Sequence, residues 1–196
     1  MTHSIGIYVF DDVEVLDVTG PYEVFTCAMR VSARTTPGAP PFRVRTIGRT
    51  SALLRARAGL AVFPESDFGG AGLDVLIVPG GVVDAELAKP DVTAWIAAVA
   101  RDCELVAAIG TGAFLLTQAG LLDGRQVAAR QPAGMVPALP ELRIEGKRRL
   151  PEHGAIVAAG GVTAGIDLSL QLVERLAGRE LALATARHMD YDWGRA

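Results

Sequence analysis

The chain predicts an α/β fold: a three-layer sandwich with a mostly parallel central sheet and helices on both faces. Two observations carry this. Short apolar segments of strand length alternate with longer segments whose apolar residues recur at helical spacing. Two of the short segments, residues 75–78 and 105–109, are apolar throughout, the pattern of strands buried on both faces. Such strands belong to parallel sheets covered by helices.

The elements follow in order. Residues 5–10 form a short β-type run that ends at Asp11-Asp12, and residues 19–33 show helical spacing, with Pro21 tolerated near the start. Residues 35–41 hold three prolines in seven positions and are linker-like, but they come too early to divide two domains. Residues 42–47 alternate and residues 53–63 read as a hairpin. The strand at 75–78 stops at Pro79-Gly80-Gly81. A helix over 92–100, the strand at 105–109 and a helix over 111–119 come next. A strand at 156–159, a helix over 163–176 and a last helix over 179–191 repeat the plan. All 196 residues read as a single domain.

Composition bounds the function classes. Nineteen basic and 22 acidic side chains leave a net charge of −3, and half the residues are apolar against 21% charged, so a folded globule is expected and disorder is not. There is no basic stripe for nucleic acid. Lys147-Arg148-Arg149, the one basic run, reads as a solvated turn. No apolar run reaches the ~18 residues of a membrane span. The start at Met1-Thr2-His3 lacks the features of a secretory signal, which makes the cytoplasm the expected location. Cys27 and Cys103 are too few for a disulfide framework or a four-ligand zinc site and are read as core residues. His3, His153 and His188 have no metal-ligand spacing, and no cofactor is expected.

In parallel sheets the ligand site lies beyond the carboxyl ends of the strands. Three such ends carry chemistry. Ala107-Ala108-Ile109-Gly110-Thr111-Gly112-Ala113-Phe114 passes from buried strand to helix with almost no loop, as in a nucleophile elbow. The projecting position is Gly110, and a turn needing small residues for close packing is the competing explanation. Pro79-Gly80-Gly81 can present backbone N–H groups to an oxyanion, although paired glycines are also common after strands. Asp17, flanked by apolar residues before a helix, suits either a helix N-cap or a partly buried general acid or base. Val82 and Thr163 stand at strand ends and are expected to line the pocket, with Ile109 and Tyr22. The Gly110 to Gly112 pattern lacks the remainder of a dinucleotide or phosphate-loop motif.

Nearly the whole chain resembles the ThiJ/PfpI superfamily, of class I glutamine amidotransferase-like and flavodoxin-like fold, and within it the isonitrile hydratase-like branch. The resemblance is carried by the segment from Phe10-Asp11-Asp12 through Asp17-Val18-Thr19-Gly20-Pro21 to Phe25, by Leu76-Ile77-Val78-Pro79-Gly80-Gly81, and by Thr111-Gly112-Ala113-Phe114-Leu115-Leu116. Ala119-Gly120-Leu121-Leu122-Asp123-Gly124-Arg125 and Gly161-Val162-Thr163-Ala164-Gly165-Ile166-Asp167 complete it. It implies that Asp17 is the active-site acid, four positions before the proline taken to open the first helix. It also implies that Gly80 and Gly81 lie on the oxyanion side and that the protein pairs as a homodimer. The departure is central: Gly110 stands where the family has its nucleophilic cysteine, and a hydrogen cannot attack an isonitrile carbon or a carbonyl. Ala128-Ala129-Arg130-Gln131 stands where the branch reads Thr-Thr-His-Trp.

Three functions are compatible with these residues. The first is a cofactor-free acid–base enzyme, of isomerase, cyclase, lyase or hydratase type, acting on a small activated molecule. Asp17 would move the proton, and the Gly80, Gly81 and Thr111 N–H groups would hold the oxyanion beside Gly110 and Gly112. The second is a non-catalytic module that binds a small ligand and works with a separate partner. The third is an isonitrile hydratase inactivated by a cysteine-to-glycine change at 110. None needs a membrane or nucleic acid.

Overall fold

The computed structural model describes residues 1–70, 72–122, 152–153, 156–160 and 162–193. The central sheet has the order β2-β1-β5-β6-β8-β7, where β1 is His3–Tyr8, β2 Phe42–Ile47, β5 Val75–Val78, β6 Leu105–Ile109, β7 Glu152–His153 and β8 Ile156–Ala159. Five strands are parallel, and only the two-residue β7 runs antiparallel to its neighbour β8. The 53–63 hairpin forms a separate two-stranded sheet, β3 (Leu54–Arg55) and β4 (Ala61–Val62).

Right-handed crossovers explain the two helical layers. The chain moves one way from β1 to β2 and the other way from β5 through β6 to β8, which sends the connecting helices to opposite faces. On one face α1 (Val15–Thr35) packs with α5 (Ala164–Ala177) and α6 (Arg179–His188). On the other, α3 (Pro90–Ala100) and α4 (Gly112–Gln118) pack together with the one-turn α2 (Asp84–Leu87). Every residue of β5 and β6 is buried, as their uninterrupted apolar sequences require. Each fully buried Ile, Leu or Phe, such as Ile7, Leu76, Ile77 and Phe114, contributes about 1.5–3 kcal/mol relative to exposure. Strand β2 lies at the sheet edge and alternates buried Phe42 and Val44 with the more accessible Arg43 and Arg45, charges that discourage further strand pairing.

The first helix corrects the sequence reading. It begins at Val15, not at 19, so Asp17 sits in its first turn while Glu14 holds the N-cap position without a side-chain cap bond. Asp17 is therefore not the cap. Pro21 lies inside the helix rather than opening it, and it has no N–H to give to the Asp17 carbonyl four residues back. The apparent helix start at 92 moves to Pro90, a favoured first helical residue. Helix α2 was too short to show periodicity. The last helix ends at His188, where the Tyr191 N–H folds back onto the Ala186 carbonyl.

Of the two cysteines read as core residues, Cys27 is buried, whereas Cys103 is only partly buried against the core. Trp95 stacks on Phe68 with centroids 4.2 Å apart and 5° between planes, and also meets Tyr8. Cys27 lies between Glu23 and Arg30 on α1, and His188 is exposed. The readings of Lys147, Arg148 and Arg149, of the His153 side chain, and of Arg130 and Gln131 lie outside the described residues. Among the described residues no helix is long and apolar enough to cross a membrane, and no group of three His, Cys, Asp or Glu is placed to hold a metal.

Candidate active site

Three strand ends converge on one carboxyl group. The segment after β1 is tied to the segment after β5 by main-chain bonds: Glu14 N–H donates to Gly80 O at 2.8 Å, Val82 N–H donates to Asp12 O at 3.1 Å, and Val13 pairs with Gly81. This lacing brings the first turn of α1 against Pro79-Gly80-Gly81. Asp17 is thereby 3% exposed, and its Oδ2 accepts the Gly80 N–H at 2.9 Å. Its Oδ1 is buried with no hydrogen-bond partner among the described residues.

Burial dominates the electrostatics. Removing the carboxylate from water raises its pKa, the Gly80 N–H works in the opposite direction, and the like charge of Glu14 adds to the rise. Asp17 is carried from 3.8 to about 7. A carboxyl group poised there exchanges its proton at neutral pH, as a general acid or base must.

The third strand end is the elbow. Gly110 N–H donates to Ala159 O at 2.9 Å, which continues the β6–β8 register, and the backbone then turns into α4 with Gly110 at φ +53°. This left-handed conformation is the strained turn that a nucleophile elbow uses. A β-carbon built on Gly110 would point at Asp17, 3.5 Å from Oδ2, with no other atom of the described residues beyond its two chain neighbours within 4 Å. Neighbouring glycines are needed for close approach. A β-carbon at Gly112 would lie 2.1 Å from Val78 O, and one at Gly80 would lie 2.9 Å from Asp17 Oδ2 and from Thr111 Oγ1.

The oxyanion expectation needs correction. The Gly80 N–H is held by Asp17, and the Gly81 N–H donates to Thr111 Oγ1 at 2.9 Å, while the Thr111 hydroxyl donates back to Gly81 O at 2.9 Å. Both glycine donors are thus used inside the protein to fix the acid and to lock β5's end to the elbow. Thr111 N–H has no acceptor among the described residues and is the free donor of this set.

Asp17, Gly80, Gly81, Gly110, Thr111 and Gly112 are brought together. Val82 is half-buried and its N–H serves the Asp12 loop. Thr163 is exposed at the N-cap of α5 and joins none of the hydrogen bonds around Asp17. Ile109 is fully buried and faces Gly165, whose β-carbon position lies 2.9 Å from its Cδ1, so it packs α5 rather than lining a pocket. Tyr22 turns toward Glu65, with its hydroxyl 3.3 Å from Oε1.

Sequence reading missed a second buried carboxyl. Glu86 on α2 is 1% exposed, accepts from the Tyr8 hydroxyl and pairs with Lys89. These residues, with Arg49, Thr50 and residues 52–54, border a cleft of about 180 Å³ over the ends of β1 and β2. An acid three residues before a lysine was the available signal, and it is common on any helix surface.

Relatives share this architecture. The chain is 29% identical over 194 residues to an isonitrile hydratase from Pseudomonas putida, covering 97% of this chain and 79% of that protein. It is 28% identical over 193 residues to the HTH-type transcriptional regulator GbdR of Pseudomonas aeruginosa, covering 96% of this chain and about half, 51%, of the regulator. In structure it is similar to Drosophila melanogaster DJ-1beta, with a TM-score of 0.81 at 16% identity over 98% of this chain and 100% of that one. The model of the DJ-1/PfpI family matches residues 3–175, and the chain belongs to that family.

Proposed function

We propose that the protein is a cofactor-free acid–base enzyme, of isomerase, cyclase, lyase or hydratase type, acting on a small activated molecule at Asp17. The observation that carries this reading is a buried carboxyl, raised to about 7, facing an elbow whose nucleophile is replaced by glycine. Without a thiol the site forms no covalent adduct at residue 110. Proton transfer by Asp17 remains, worth about 10²–10⁴-fold, and a single N–H donor to an oxyanion, here Thr111, is worth about 10²–10³-fold. The protein acts as a homodimer in the cytoplasm on this reading.

The test uses turnover. The protein is incubated in D₂O with a panel of small isonitriles, enolisable ketones and hydroxy-carbonyl compounds, with deuterium incorporation and products followed by mass spectrometry. Turnover by the wild type and its loss in Asp17→Asn are expected. Equal turnover in both would sink the acid–base role.

A ligand-binding module is the second reading, favoured by the likeness to a protein named as a transcriptional regulator. Calorimetric binding of a panel compound without any product or exchange would select it over catalysis.

A further inference from the structure

The second buried carboxyl organises a cleft of its own, away from Asp17. Glu86 is 1% exposed and both of its oxygens are occupied: Oε2 accepts the Tyr8 hydroxyl at 2.5 Å and Oε1 accepts from the Lys89 ammonium. Burial, and then the Glu86 charge, push the Tyr8 phenol upward, so it stays protonated and remains a donor. Glu86 is thus the buried anchor of the Lys89 charge. Arg49 is anchored in the same manner, its Nε donating to Asp91 Oδ2 at 2.5 Å. The Arg49 charge acts on Tyr8, and the Glu86 charge acts on Arg49, so the two cations flank one buried Tyr–Glu pair.

Each anchor leaves N–H groups over. The Arg49 Nη groups and the other Lys89 N–H groups have no acceptor among the described residues. Asp11, which borders the same cleft, accepts the Arg55 N–H through Oδ1 at 2.7 Å, and its Oδ2 has no hydrogen-bond partner among the described residues. Charge balance then selects the ligand. Asp91 offsets Arg49 and Glu86 offsets Lys89, which leaves Asp11 as the unbalanced charge bordering the cleft. A carboxylate alone would meet the spare donors but add a second unbalanced negative charge. An amine alone would answer Asp11 and leave the donors without a partner.

We propose that this cleft binds a small zwitterion of α-amino acid type, with its carboxylate on Arg49 and Lys89, its ammonium at Asp11, and a short apolar side chain against Phe10, Leu53 and Leu54. The planar guanidinium suits a carboxylate, which can take two of its N–H groups at once. The volume of about 180 Å³ suits a molecule of this size, since a cavity of about 150 Å³ takes benzene. Asp17, Gly80 and Gly110 do not border the cleft, so the site is separate from the acid and does not depend on the function proposed for it.

L-valine, isobutylamine and isovalerate separate the cases, because the second is valine without its carboxylate and the third is valine without its ammonium. Each is titrated into the ¹⁵N-labelled full chain at neutral pH and followed by NMR. Valine should give saturable shifts centred on residues 8–11, 49–54 and 86–89, and each single-charge probe should bind about tenfold more weakly or worse. Arg49→Gln and Asp11→Asn change exposed side chains, should melt like the wild type, and should each weaken valine by about the same factor.

The proposal is overturned if valine gives no saturable shift at millimolar concentration, if isobutylamine or isovalerate binds as tightly as valine, or if either variant binds valine as the wild type does. Shifts centred instead on Asp17, Gly80 and Gly110 would assign valine to the other site and overturn it equally.

Discussion

The β-carbon position of Gly110 lies 3.5 Å from Asp17 Oδ2, so the elbow at the end of β6 aims its absent side chain at the acid in the first turn of α1. The contact distance is an ordinary one. What a substitution at 110 encounters is the left-handed backbone, at φ +53°, more than any crowding.

Gly110→Cys should therefore fold, with a loss of about 1–2 kcal/mol for the left-handed conformation. Its thiol should be alkylated by iodoacetamide faster than Cys27, which is buried between Glu23 and Arg30, and faster than Cys103, whose thiol burial pushes up to about 12. Peptide mapping after timed alkylation measures all three sites. Labelling at 110 no faster than at Cys103 would show that the elbow does not open to solvent.

Asp17 makes stability fall as pH rises. Its folded-state pKa of about 7 lies above the ordinary 3.8, so the folded protein binds more protons than the unfolded chain between these values. The contribution is fully present below about pH 4 and is lost as pH climbs through 7. At about 1.4 kcal/mol per pKa unit, the difference is up to about 4 kcal/mol. Asp17→Asn should be close to neutral in stability at pH 4 and stabilising by up to that amount at pH 8. Urea unfolding at the two pH values checks it, and an equal effect at both would contradict the raised pKa.

Thr111→Val keeps the shape but removes the hydroxyl that serves both the N–H and the carbonyl of Gly81. Leaving these groups unpaired costs about 1–3 kcal/mol. The loss should appear in the denaturation midpoint with an unchanged slope. An unchanged midpoint would mean that water replaces the hydroxyl freely.

Gly112→Ala should be the most damaging of these changes. Its β-carbon would fall 2.1 Å from Val78 O and 2.6 Å from Pro79 O, backbone atoms at and just past the end of β5, so the helix must shift. A loss of about 3 kcal/mol or more is expected from such overpacking, read by chemical denaturation. Wild-type stability in this variant would mean that α4 moves away from β5 at little cost.

Much of the architecture was legible because periodicity is local. The uninterrupted apolar runs of β5 and β6 and the alternation in β2 are written residue by residue, and they marked these segments as strands, the first two buried on both faces. The start of α1 was not legible. Pro21 reads as a helix opening, whereas the helix begins six residues earlier, after main-chain bonds from residues 12–14 anchor it to Gly80, Gly81 and Val82. The glycines of the site were identifiable from their positions after strands. Their hydrogen-bond partners were not, since Asp17 and Gly80 are 63 residues apart and Gly81 and Thr111 are 30 apart.

The sequence by itself determined the alternation of strands and helices, the small residues at the strand ends, and the absence of a thiol at position 110. Tertiary structure decided that Asp17 is an acid near neutrality, that Gly80 and Gly81 spend their donors on it and on Thr111, and that residue 110 faces the carboxyl. The physical reason is that apolar periodicity belongs to neighbouring residues, whereas desolvation and hydrogen-bond pairing depend on which distant segments close around a group.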